Sequence, residues 1–163
     1  MANAVEVDIA EAIVTALNAE TFDLSFVAER SYADWNEKLE DIGELKVDVV
    51  PWSVTLEQSG RGSIAYICET DILIRKRFDE SQKDQSSGRV LTSEVDALAK
   101  LRQDIYELFM PCLPSQTGRN LTTLADATWQ ATVIKSSYVR PHMKIRQFTS
   151  WLRVTYRYDK AVG

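Results

Sequence analysis

The sequence predicts an α+β fold, a mostly antiparallel β-sheet with two α-helices packed on one face, and three observations carry that reading. Apolar and polar residues alternate with period two in several separate segments, most clearly over residues 145–158, the pattern of strands with one buried and one wet face. Two other segments, around residues 8–18 and 92–109, place apolar residues three and four apart, as one face of a helix does. The order is helix, strands, helix, strands, without the regular βαβ alternation of a parallel sheet.

At 163 residues the chain suits a single domain over residues 1–163, large enough to bury a real core. Apolar content of 45% and charged content of 26% are those of a soluble globular protein. No apolar run approaches the roughly 18 residues that suggest a membrane span. The acidic N-terminal stretch lacks the basic segment of a secretion signal, so the chain is expected to stay in the cytosol. The alternating segment near the C-terminus predicts a domain that completes itself with its final residues.

Taken in order, Asp8 with Glu11 forms a capping pattern at the start of the first helix. Ile9, Ile13 and Leu17 then make an apolar stripe, with Ala10, Val14 and Ala16 beside it. Leu24, Phe26 and Ala28 alternate with Ser25, Val27 and Glu29, a strand that fades near Tyr32. Residues 33–44 are charged and close on Gly43, a loop with one helical turn. Leu45, Val47 and Val49 form a second strand that ends at Pro51, since proline donates nothing to a ladder, and residues 54–58 resume as a third. Gly60-Arg61-Gly62 is a turn. Residues 64–76 read as a long central strand, with Ile64, Tyr66, Cys68, Thr70, Ile72 and Ile74 on one side.

Residues 79–90 are polar and read as a flexible, exposed loop. Thr92 or Ser93 caps the second helix, whose stripe is Val95, Leu98, Arg102, Ile105 and Phe109, flanked by Leu101, Tyr106 and Leu108; Pro111 stops it. Residues 113–128, with Pro114, Gly118 and Asn120, form a second flexible region. Trp129, Ala131 and Val133 alternate in a strand, and residues 136–144 connect it to the last one. There Phe148, Leu152, Val154 and Tyr156 face the core, while Gln147, Thr149, Trp151, Arg153, Thr155 and Arg157 face away.

Catalytic motifs are not found. His142 is the one histidine, and the nearby Ser136 and Ser137 lack a nucleophile-elbow setting. Cys68 and Cys112 lack metal-ligand spacing and read as buried, reduced thiols. Asp79, Glu80 and Asp84 lack the pattern of a calcium loop, and Gly60-Arg61-Gly62 is too short to cradle phosphate. The expectation is a protein that is not an enzyme and uses no cofactor or metal.

Charge is unevenly spread. Residues 1–58 hold thirteen acidic side chains against three basic ones, and residues 135–163 hold seven basic ones against Asp159 alone. Such asymmetry steers complementary surfaces together, including copies meeting head to tail, unless opposite charges cancel within one sheet. The candidate interface residues are Arg75, Lys76 and Arg77, and, on the outward face of the last strand, Gln147, Thr149, Trp151, Arg153 and Arg157. Trp35 and Trp52, at strand ends or in loops, are further aromatic anchors of the kind interfaces favour.

Several segments also resemble a known group. Asp8-Ile9-Ala10-Glu11-Ala12-Ile13-Val14, Phe26-Val27-Ala28-Glu29-Arg30-Ser31-Tyr32 and Glu44-Leu45-Lys46-Val47-Asp48-Val49-Val50-Pro51 are similar to small tail and neck proteins of tailed bacteriophages. So are Arg146-Gln147-Phe148-Thr149-Ser150 and Leu152-Arg153-Val154-Thr155-Tyr156. In size and element order the chain looks most like the tail terminators. That resemblance implies an α+β fold and a hexameric ring that caps the tail tube, stops its growth and presents a surface to the head connector. It also implies a virion location at the head–tail interface after assembly in the host cytoplasm. The partners expected are further copies of the chain, the tail-tube protein and a head-completion or connector protein, with DNA only passing through the lumen and no membrane. The alternatives are a head-completion or stopper protein bound on the portal side, a small metal-dependent hydrolase built on carboxylates such as Asp79 and Asp84, and a monomeric host binding domain.

Overall fold

Three long strands lie side by side in the middle of the sheet, and the helices and a loop cover one end of them. In a computed structural model of the protein, residues 3–110 and 121–161 are described. They form α1 (Val5–Ala19), β1 (Ala28–Arg30), β2 (Leu45–Gly60), β3 (Ser63–Arg77), α2 (Thr92–Leu108), β4 (Ala127–Ser136), α3 (Arg140–Lys144) and β5 (Gln147–Ala161). The sheet order is β1-β2-β3-β5-β4. Only the short β1 runs parallel to its neighbour; every other pair is antiparallel. The architecture is therefore the α+β one that the pattern of the sequence predicts, with residues 63–77 central as expected.

Both long helices bury their stripes against the same sheet face. Ile9, Ile13 and Leu17 of α1 and Leu98, Leu101 and Ile105 of α2 share one core with Val47, Val49, Cys68, Ile72, Ile74, Leu152, Val154 and Tyr156. The strand residues in that list follow period two, so one register satisfies all of them. Arg102, which the spacing puts in the α2 stripe, lies at its margin, where its Nη1 donates to the Ser137 carbonyl at 2.6 Å.

Several boundaries differ from expectation, each for a local reason. Asp8 and Glu11 do not cap α1: the helix begins at Val5 after an extended Ala4, and no side chain caps it. Thr92 and Ser93 likewise lie inside the first turn of α2, after Leu91. Residues 24–27 are not a strand, because Asn18 at the end of α1 takes both backbone groups of Ala28 (2.8 and 3.0 Å) and starts β1 only there. Residues 45–60 are one strand rather than two. Pro51 does not end β2; it sits beside a register shift at Trp52, just past the point where β1 stops pairing.

Residues 79–90 carry structure of their own. Asp79 caps a 3-10 turn at Glu80–Gln82, Asp84 organises a second turn, and Lys83 bridges to Val90. β4 begins at Ala127, earlier than expected, and a register shift at Gln130 reverses its faces. Trp129 thus turns to the core, while Ala131 and Val133 turn outward and Thr132 inward. The connector 136–144 holds a third helix too short for periodicity to reveal. Pro111, Cys112 and residues 113–120 lie outside the described residues.

Replacing Ile13 or Ile72, each fully buried, with alanine is expected to cost about 2–5 kcal/mol. The exposed Val27→Ala change should stay within about 0.5 kcal/mol. Urea denaturation of the three variants checks both.

Candidate protein interface

The sheet face opposite α1 and α2 receives the outward side chains of β5, and its two ends differ. Near the start of β5 it is covered. Residues 31–44 run across it and α3 closes beside them, so polar side chains there must find partners inside the protein. Gln147 is fully buried. Its Oε1 accepts from the Leu39 N–H at 2.7 Å, and its Nε2 donates to the Glu37 carbonyl at 3.0 Å and to Thr149 Oγ1 at 2.9 Å. Thr149, also fully buried, shares a hydrogen bond with His142 Nδ1 at 2.6 Å.

Arg75 joins the same covered region at 3% exposure. Its Nη2 donates to Asp48 Oδ2 at 2.7 Å, and the other oxygen of Asp48 accepts from the Ser31 hydroxyl at 3.0 Å. Glu37 adds a longer ion pair at 3.6 Å. Arg77 donates to the Leu39 carbonyl at 3.1 Å, so Leu39 is held from both sides of its peptide. Lys76 points to the other face, its ammonium 5.8 Å from the ring centre of Phe78. Arg75, Gln147 and Thr149 are therefore corrected as interface residues: Arg75 and Gln147 hold the protein's own residues 31–44, Thr149 bonds Gln147 and His142, and none of the three is open to a partner. The burial follows from the covering loop, which alternation in β5 alone does not foretell.

Towards the other end the face opens. Trp151 stacks on Trp35 with ring centres 4.7 Å apart, and beyond it Arg153 makes two hydrogen bonds to Asp71, at 2.7 and 3.1 Å. The Arg153 guanidinium lies 4.8 Å from the ring centre of Trp52, whose indole is 58% exposed. Arg157 pairs with Asp159 at 3.2 Å and reaches Glu57 at 3.9 Å. Arg153 and Arg157 thus serve internal ion pairs while part of each side chain stays accessible. Among the described residues, Glu57 is the one acid of the first 58 residues that meets the basic segment 135–163; the segment's other ion pairs are with Glu69, Asp71, Glu80 and Asp159.

The exposed apolar side chains lie elsewhere, and sequence patterning missed them as a group. On β2, Val54 and Leu56 point to the helix side of the sheet but remain 41% and 59% exposed. On β4, the shift at Gln130 turns Val133 outward into water, and Ile134, on the helix side of this edge strand, is also 37% exposed. The signal for the buried acids was present: Asp48 and Asp71 stand among apolar residues in strands, where a carboxylate needs a basic partner.

The remaining chemistry is local. Burial pushes the Cys68 thiol up to about 12, so it stays protonated and inert. Asp79 and Asp84 each accept hydrogen bonds from a nearby serine, and those bonds hold both carboxylates below the usual range. Among the described residues, no three His, Cys, Asp or Glu side chains converge as metal ligands would. Comparison with family models and with curated proteins finds no match to this sequence.

Asp48→Ala would leave buried Arg75 with only the longer Glu37 pair, and such a loss is expected to cost about 3–5 kcal/mol, read by urea denaturation. Burial, together with Arg75, lowers the pKa of His142 from its ordinary 6.5. The unfolded chain therefore binds that proton first, and the His142 contribution is complete above pH 6.5 and lost as pH falls below it. His142→Asn, which keeps a hydrogen-bond partner for Thr149, should flatten the stability–pH curve in that range; an unchanged curve assigns the slope to other groups.

Proposed function

We propose that the protein is a structural, ring-forming component of a tailed-phage virion, resembling the tail terminators that cap the tail tube and join it to the head connector. The observation that carries this reading is the open stretch of β2, where Trp52, Val54 and Leu56 stand in water. Grouped apolar exposure of this kind marks surfaces that other proteins cover, and a Trp paired with an Arg is a common energetic centre of an interface. The segments that resemble phage tail and neck proteins coincide with α1, β1, the first half of β2 and β5, the elements around the core. The work proposed is geometric, with no catalytic step: bind copies of itself, then bind the tail-tube protein on one face and a connector protein on the other. It takes place in the host cytoplasm and ends at the head–tail joint of the particle.

The test is to add the purified protein to tail-tube subunits as they polymerise and to view the products by electron microscopy. The expected result is tubes that stop growing and carry a ring at one end. Tubes of unchanged length with bare ends would overturn the terminator role, and capture by the portal-side adaptor instead would move the protein to the stopper position.

A further inference from the structure

We propose that copies of this chain join edge to edge, the open side of β2 in one copy taking up β4 of the next, so that one sheet continues across the subunit boundary. The assembled form rests on the ring reading above; the contact itself rests on the two sheet edges.

β1 pairs with β2 only at Val47, Asp48 and Val49, and the Ser31 N–H closes on the Val49 carbonyl. Beyond that point, among the described residues, β2 has no strand on its outer side. At the other edge β4 pairs only with β5. An unpaired edge that carries apolar side chains is a template for another strand. Pro51 and the shift at Trp52 interrupt one end of the β2 edge, and the stretch from Ser53 onward stays regular until Gln58.

Direction and height both suit a second copy in the same orientation. β4 is antiparallel to β5, β5 to β3 and β3 to β2, so β4 of a neighbour arrives antiparallel to β2. Following the registers across the sheet sets Ala127 level with Leu56, Thr128 with Thr55 and Trp129 with Val54. The same count puts Ser136 level with Glu29 on β1. A flat ring keeps these heights, so the Ala127 end of β4 meets the open part of β2. Its other end, bent by the register shift at Lys135, passes β1.

Charge selects unlike edges over like ones. Residues 127–146 contain Lys135, Arg140, Lys144 and Arg146 and no acid, while the β1–β2 side belongs to the acidic third of the chain. Lys135 and Glu29 are both exposed and have no ion pair among the described residues. Pairing β4 with β4 would gather the basic segments, whereas β4 beside β1 and β2 sets Lys135 near Glu29. Each copy then offers one edge of each kind, the heterologous type of contact from which rings are built when the rotation between copies closes.

The experiment uses the full chain carrying Thr55→Cys in one preparation and Thr128→Cys in another, with the unsubstituted chain, which keeps Cys68 and Cys112, as blank. Oxidation of the mixture should yield a disulfide dimer of one copy of each, and neither preparation alone should cross-link above the blank. Lys135→Glu and Glu29→Lys should each weaken self-association about tenfold by sedimentation, and the chain carrying both should recover it. All four positions are exposed, and an unchanged thermal midpoint confirms the fold. Equal cross-linking within either single preparation, or rings that form without the mixed disulfide, overturns the edge contact and leaves the ring reading standing. A mixed disulfide in particles that ignore the tail tube supports the contact and overturns the terminator role. Absence of any oligomer, alone or on the tube, overturns both.

Discussion

A buried arginine sets the terms for much of this structure. Arg75 stands near the end of the central strand at 3% exposure, where an unpaired guanidinium would be very costly. Asp48 on the neighbouring strand answers its charge, Ser31 fixes the carboxylate, and Glu37 approaches from the covering loop. The neutral amide of Gln147 then ties that loop down through the peptide groups of Glu37 and Leu39. The central strands are thereby covered on both faces at this end, by helices on one side and by a polar, loop-borne layer on the other. At the opposite end neither cover reaches, and apolar side chains of β2 stand in water.

Much of the fold was legible in the sequence because hydrophobic periodicity reports which face of an element is buried. The helix stripes at Ile9, Ile13 and Leu17 and at Leu98 and Ile105 are core, and β3 is central. Periodicity fails where a side chain, rather than a pattern, decides a boundary. Asn18 starts β1 at Ala28 by taking both its backbone groups, and the shift at Gln130 reverses β4 without any glycine or proline to announce it.

The candidate interface was legible only in part, for a related reason. Alternation states which way Gln147, Thr149, Trp151, Arg153 and Arg157 point, but not what lies in front of them. Residues 31–44 are distant in sequence and rich in charge, with apolar side chains such as Trp35 and Leu39 too sparse to mark them as a cover. The outward face is consequently divided. Gln147 and Thr149 are spent on holding the loop, Trp151 on stacking with Trp35, and Arg153 keeps partial access beside Trp52. The charge imbalance between the two ends of the chain is divided too, since Arg146, Arg153 and Arg157 meet acids within the same molecule while Lys135, Arg140 and Lys144 have no ion pair among the described residues.

Pro51 and the neighbouring register shift shorten the regular part of the β2 edge. In the edge contact proposed above, a strand adding there would form few backbone hydrogen bonds and leave quickly, so the contact would be weak in dilute solution and would build up only at higher concentration. A template that gathers several chains acts differently: it raises their effective concentration and lets many brief contacts close together. Under that proposal, an interrupted edge would make association depend on crowding at a chosen place and would delay irreversible sheet growth until such a place exists.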